Sequence, residues 1–269
     1  MTEAARTIQH MYQLDDLSRG SSPIHKLHPL VKLFVALAFL ITAVSYNRFE
    51  ITAMIPLIFY PIMIFSLSDI PVSIILKRLL YLEPFIIAIG ILNPVFDQHL
   101  IIAGGFEISR GWITFLSIFI KSGLTVTAAL LLLATTGMDD LAAALRMMRI
   151  PRILVLQMLL TYRYAAVLLG EVSRASRAYL LRAPGQTGVN PRVWGPFAGQ
   201  IFIRTYDRSR RIYQAMLLRG FNGEYNTGAD RRLKISDVFF LLSWIVFFII
   251  VRAYDLPLLA GILLTGVIK

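Results

Sequence analysis

The stretch from Trp112 to Thr136 reads WITFLSIFIKSGLTVTAALLLLATT and is the longest apolar run in the chain. Lys121 is its only charged residue. An α-helix rises about 1.5 Å per residue, so about 20 apolar residues cross the roughly 30 Å hydrocarbon core of a bilayer. Because the stretch exceeds that length, it is predicted to be a transmembrane helix, and the chain is predicted to be a membrane protein.

Similar runs occur on both sides of this stretch, and each is close to the length that a bilayer requires. They are Leu30–Tyr46, Ile51–Leu67, Leu79–Phe96 and Ile235–Val251. All the runs together predict an all-α membrane protein with about five transmembrane helices. Residues 29–138 are predicted to hold the first four helices, and residues 235–269 the last helix with an apolar tail. The tail, residues 256–268, is short for a span, so its position is left open.

The composition supports this fold class and limits the chemistry. Of 269 residues, 57% are hydrophobic and only 16% are charged, which is unusual for a soluble domain. The chain has no cysteine, so disulfides, thiolate metal sites and cysteine nucleophiles are excluded. His25 and His28 precede Pro29 with no third ligand nearby in the sequence, and we interpret them as a polar helix start rather than a metal site. No bound cofactor is expected.

Basic residues are concentrated in the second half of the chain. Residues 140–234 contain 16 of the 27 Lys+Arg but only 5 of the 16 Asp+Glu, an excess that equals the formal net charge of +11. Lysine and arginine are retained on the cytoplasmic side of membranes. We therefore expect a cytoplasmic module at residues 139–234, a cytoplasmic N-terminal segment at residues 1–28, and a multi-pass protein of the cell inner (plasma) membrane.

Two long helices are predicted in this basic stretch, Asp140–Arg182 and Pro191–Arg219, separated by a linker that contains Pro184 and two glycines. The second helix has an apolar face spaced by three and four residues, formed by Phe202, Tyr206, Ser209, Tyr213 and Met216. Arg204, Arg208 and Arg211 fall on another face at similar spacing. This period indicates an amphipathic helix rather than a transmembrane span.

Both predicted helices finish in the same way, with an arginine between a leucine and a small residue. The two tips are Leu181-Arg182-Ala183 and Leu218-Arg219-Gly220. A single arginine there could simply satisfy helix C-terminal carbonyls or contact anionic lipid headgroups. Two tips of one design on consecutive helices instead predict docking points for a two-lobed cytoplasmic partner, since the guanidinium is a permanently charged fork.

Several segments together resemble the CbiQ-type transmembrane coupling (T) component of energy-coupling-factor importers, in the cobalt and nickel group. The central signature is resembled by LATT (133–136), DDLAAAL (139–145), IPRILV (150–155) and LTYRY (160–164). The second coupling helix is resembled by FIRTYDR (202–208) and RIYQAMLLRGFNG (211–223), and the usual N-terminal start by HPLVKL (28–33). The resemblance is greatest over residues 133–223.

The resemblance implies a subunit that joins a dimer of ABC ATPases to a substrate-binding membrane subunit for uptake of cobalt or nickel. In that family two arginine tips transmit the ATPase motion, and Arg182 and Arg219 match them, flanked here by Leu181, Ala183, Leu218 and Gly220. We expect support from other side chains of the coupling helices, namely Tyr162, Arg163, Arg204, Arg208 and Tyr213. Membrane lipid is a further expected partner. Nucleic acid is not expected, because the arginines are spread through apolar helices tethered to the membrane.

Other function classes fit the residues less well. The chain has no Gly-x-x-x-x-Gly-Lys-Ser/Thr loop, so ATP hydrolysis is expected in partner subunits and not here. An integral-membrane enzyme acting on lipid or isoprenoid substrates is the alternative, but the pair Asp139-Asp140 is typical of a helix start. A self-sufficient transporter would need a site near the membrane midplane, where only Lys121 is charged. Lys121 is interpreted as a lysine in a polar seam, with a transport role left open.

Overall fold

The computed structural model describes residues 15–97, 100–103, 106–183, 185–186, 188–223 and 233–254. The chain divides into two compact units. We call residues 17–136 with 231–269 the membrane unit, and residues 1–16 with 137–230 the basic unit. The N-terminal residues 1–14 and the apolar tail 256–268 lie outside the described residues.

The described elements are helices apart from one small hairpin. In chain order they are α1 (Pro23–Lys26), α2 (Pro29–Ser45), a 3-10 helix (Thr52–Ile58) running into α3 (Phe59–Ser68), α4 (Val72–Gly90), α5 (Leu92–Phe96), β1 (Leu100–Ala103), β2 (Phe106–Ser109), α6 (Arg110–Met147), α7 (Arg152–Arg182), a 3-10 helix (Pro191–Val193), α8 (Trp194–Leu218) and α9 (Ile235–Ala253). β1 pairs antiparallel with β2, Leu100 opposite Ser109. The segment from Asp97 to Gly111 therefore contains a hairpin.

The all-α membrane class is confirmed, although the individual spans differ from the prediction. Four helical stretches are long and apolar enough to cross a membrane: Val72–Phe96, Arg110–Met147, Arg152–Arg182 and Ile235–Ala253. The first two predicted spans correspond to shorter apolar helices, Pro29–Ser45 and Thr52–Ser68. α7, which was predicted to belong to the cytoplasmic module, also qualifies by length and composition.

The predicted single helix from Asp140 to Arg182 is wrong, because two helices meet there. α6 ends at Met147, Arg149 has a φ of 62°, and α7 begins at Arg152. The Ile150 amide donates to the Leu145 carbonyl (3.3 Å) and the Arg149 amide to the Arg146 carbonyl (3.0 Å), the bond pair of a Schellman cap. Pro151 explains the break, since proline disfavours helical backbone at the residue before it and has no amide hydrogen to continue the ladder.

An aromatic cluster joins α2, α3 and α9 in the membrane unit. The ring centroids of Phe39 and Tyr60 lie 4.6 Å apart, and those of Tyr60 and Trp244 lie 4.9 Å apart. Phe248 completes the cluster, 5.7 Å from Phe39. Buried aromatic pairs at these separations add about 0.5 to 1.5 kcal/mol each beyond their area burial. The cluster therefore packs the two shorter apolar helices, α2 and α3, against α9.

The two histidines before α2 have structural partners. The Ser22 hydroxyl lies 2.7 Å from His25 Nδ1, and His25 Nε2 lies 2.9 Å from the Leu17 carbonyl. Burial lowers the pKa of His25, which favours the neutral ring, and a neutral ring can accept from Ser22 while donating to Leu17. His28 caps α2, its ring accepting from the Leu30 amide at 3.3 Å. Within the described ranges, no group of three or more His, Cys, Asp or Glu side chains could hold a metal ion.

Candidate docking site

The basic unit is organised by α7 and α8, which differ in burial. The first turns of α7 contribute Val155 and Leu159 to a small hydrophobic core, where they pack with Ala142 from the last turns of α6. α8, in contrast, has no buried residue along its entire length. Its apolar residues remain uncovered, with Phe202 71% exposed and Tyr213 56% exposed. An amphipathic helix with an open apolar face is typical of a surface that binds another molecule.

Charged side chains connect the two helices. Arg204 Nη1 of α8 lies 3.4 Å from Glu171 Oε1 of α7, and Arg174 Nη2 lies 2.5 Å from Glu171 Oε2. Arg208 lines the same groove between the helices. Exposed ion pairs of this kind contribute about 0.2 to 1 kcal/mol each. The contact therefore adds little to stability, but it joins Arg204 of α8 to Glu171 of α7.

The first tip follows the C-terminus of α7. Arg182 is the last helical residue and is exposed, and the preceding Leu181 is 85% exposed. The Ala183 amide donates to the Tyr179 carbonyl at 3.1 Å, and its backbone then leaves the helix with φ −125° and ψ 71°. A proline follows in the sequence, and proline disfavours helical backbone at the preceding residue. The helix therefore stops at the arginine.

The second tip ends α8 by a different device. The Phe221 amide donates to the Met216 carbonyl (3.0 Å) and the Gly220 amide to the Leu217 carbonyl (2.9 Å), which is the Schellman pattern. Gly220 has a φ of 81°, a left-handed conformation that glycine adopts without steric cost. Arg219 is the exposed cap residue, and Leu218 is 89% exposed. Both tips therefore present an uncovered leucine followed by an arginine.

The remaining predicted support residues lie at different distances from the tips along α7 and α8. Tyr162 and Arg163 belong to α7, so about 19 helical residues, or roughly 29 Å, separate them from Arg182. Tyr213 lies in α8 on the open apolar face described above. Sequence reasoning missed Glu171, the acidic partner of Arg204 and Arg174. A usable signal was present, because Glu171 is the one acidic residue in the sequence of α7 and Arg174 follows it by a helical turn.

The structure defines a mainly helical, multi-pass membrane protein in which two helices of the basic unit end in exposed arginine tips. The family model for CbiQ, cobalt transport protein, matches residues 20–229. The chain therefore belongs to the CbiQ cobalt transport family, and it is a transport component.

Three relatives extend the comparison. The chain is 26% identical over 270 residues to the uncharacterized protein MJ1571 of Methanocaldococcus jannaschii, covering 93% of this chain and 91% of the relative. It is 28% identical over 138 residues to the nickel permease LarQ of Lactiplantibacillus plantarum, covering half of each protein. It is 25% identical over 255 residues to the energy-coupling factor transporter transmembrane protein EcfT of Bacillus subtilis, covering 86% of this chain and 95% of the relative.

Proposed function

We propose that this protein is the transmembrane coupling subunit of an energy-coupling-factor importer. It links a dimer of ABC ATPases to a substrate-binding membrane subunit for uptake of cobalt or nickel. The two tips carry the proposal, because Leu181-Arg182 and Leu218-Arg219 end consecutive helices of one unit with the same exposed side chains. Membership of a cobalt transport family and similarity to a nickel permease support the choice of metals.

The chemistry of the tips suits a docking role. A guanidinium offers five N–H donors in a planar fork, so it pairs with two acceptors at once in a partner groove. The adjacent leucine is apolar and exposed, and it would lose water on docking. An arginine held by a helix end moves with that helix, so displacement of the partner groove is transmitted along α7 and α8. The protein itself is non-catalytic in this scheme, and its partners hydrolyse ATP.

Co-purification tests this function directly. We expect the tagged chain, expressed with its own genomic neighbours, to retain an ATP-binding-cassette ATPase pair through size-exclusion chromatography. The isolated chain should hydrolyse no ATP, because its sequence has no phosphate-binding loop. Recovery of the chain without an ATPase, combined with full metal uptake in cells that lack every such ATPase, would contradict the proposal.

The proposed orientation places the N-terminus and the basic unit in the cytoplasm. The charge excess of residues 140–234 supports it, because positively charged segments stay inside. We expect a small epitope inserted between Gln186 and Asn190 to be labelled only after the membrane is permeabilised. An epitope in the linker between Tyr46 and Ile51 serves as the control and should be labelled in intact cells. The reverse pattern would show that the orientation is wrong.

A further inference from the structure

Two lysines of the membrane unit bind backbone carbonyls across the same pair of helices. Lys32 Nζ of α2 donates to the Thr135 carbonyl of α6 at 2.7 Å. Lys121 Nζ of α6 donates to the Tyr46 carbonyl, directly after α2, at 2.5 Å. Each helix therefore supplies one lysine donor, and the other helix, or the residue directly after it, supplies the accepting carbonyl. We call these two bonds the lysine clasps, and they give Lys121 a backbone partner, in line with its interpretation as a lysine in a polar seam.

The two clasps show that α2 and α6 run antiparallel, because the start of α2 bonds to the later part of α6 and the residue after α2 bonds to the earlier part. Lys32 and Tyr46 are 14 positions apart, and so are Lys121 and Thr135, which corresponds to about 21 Å along each helix. A buried ammonium group is costly unless it is hydrogen-bonded. Lys32 is buried and Lys121 is half-buried, so each ammonium group is stabilised by its carbonyl partner.

Each carbonyl lies where a helix is interrupted. Tyr46 is the C-terminal cap of α2, and its extended backbone (φ −69°, ψ 145°) ends the helix. Thr135 precedes Gly137, which has φ 67° and ψ 166° inside α6. An α-helical bond from the Asp139 amide to the Thr135 carbonyl would span Gly137, and this backbone conformation is incompatible with it. Both lysines therefore cap the C-terminal, negative end of a helical segment.

We propose that Lys32 is a positioning residue that maintains the kink at Gly137. The Lys32 ammonium donates a hydrogen bond to the Thr135 carbonyl. In a straight helix this carbonyl would instead accept a hydrogen bond from the Asp139 amide. The nearby Thr136 hydroxyl is buried without a hydrogen-bond partner in the described part of the chain, so it does not donate to the Thr135 carbonyl. The kink falls where the basic unit begins in the sequence. The importance of the kink for metal uptake rests on the proposed function. The role of Lys32 in maintaining the kink does not depend on that function.

A distance measurement along α6 tests the proposal. Phe119 and Met147 are exposed and flank Gly137 on one helix. The chain has no cysteine, so Phe119→Cys and Met147→Cys in the full chain carry the only two spin labels. An unbroken helix would place these two Cα atoms about 42 Å apart. Lys32→Met should broaden the wild-type distance distribution and shift it toward that value, and Lys32→Arg should preserve the wild-type distribution.

Lys121→Met is the matched control, because it removes the other clasp and leaves the kink. It should lower the thermal midpoint without shifting the distribution. An unchanged distribution in Lys32→Met, or equal shifts in both methionine variants, would overturn the proposal. Metal uptake is measured in parallel. A shifted distance with unimpaired uptake would reject the coupling role while leaving the kink assignment intact, so the two failures are distinguishable.

Discussion

Arg219→Ala and Arg182→Ala are each expected to abolish most metal uptake and most substrate-stimulated ATP hydrolysis by the assembled importer. Removing an arginine from a charged contact that is buried on docking leaves the partner's acceptors unpaired, at a cost of about 2 to 5 kcal/mol. This corresponds to ATPase binding that is at least about 30-fold weaker. A lipid-facing arginine contributes only about 1 kcal/mol, so the magnitude separates docking from headgroup contact. Quantitative pull-down of the ATPases and uptake assays measure both effects.

Two further variants make the result specific to the tips. Arg→Lys at either tip should restore only part of the activity, since an ammonium cannot reproduce the planar fork. Arg192→Ala is the control, because Arg192 is exposed in the 3-10 helix between α7 and α8 and lies on neither tip. It should behave like wild type. Full uptake in the tip variants, with loss in the control, would require the docking hypothesis to be abandoned.

Gly137→Ala is expected to have the second large effect, on both stability and uptake. Gly137 combines φ 67° with ψ 166°, a region that is essentially restricted to glycine and costs other residues about 1 to 3 kcal/mol. Alanine also favours a helix over glycine by about 1 kcal/mol. Both terms favour straightening of α6. We expect a lower thermal midpoint, the same distance shift as in Lys32→Met, and loss of most uptake.

Gly170→Ala is the matched control within a helix of the basic unit. A methyl group there would lie 3.7 Å from Arg174 Nη1, an ordinary contact, and the backbone is helical. The substitution should be neutral or stabilising by up to about 1 kcal/mol. If Gly137→Ala were tolerated as well as Gly170→Ala, the kink would have no role in this protein.

Properties that depend on local composition were predictable from the sequence. The length of the run Trp112–Thr136 determined the membrane class, because the bilayer thickness fixes how many apolar residues a helix needs. The amphipathic period of α8 followed from the spacing of its side chains, and its end was predicted at Arg219, one residue beyond the observed end at Leu218. The exact helix boundary before α7 was also encoded locally by Pro151, although the prediction ran through it.

The tertiary structure alone decided how distant residues meet. Lys121 binds a carbonyl 75 positions away, and Lys32 binds one 103 positions away. Neither partner is a side chain, so no residue type in the sequence marks it. Likewise, an apolar run has the same composition whether it faces lipid or the aromatic cluster around Tyr60 and Trp244. Hydropathy thus specifies which segments leave water, whereas packing specifies which backbone carbonyls are left for the buried charges.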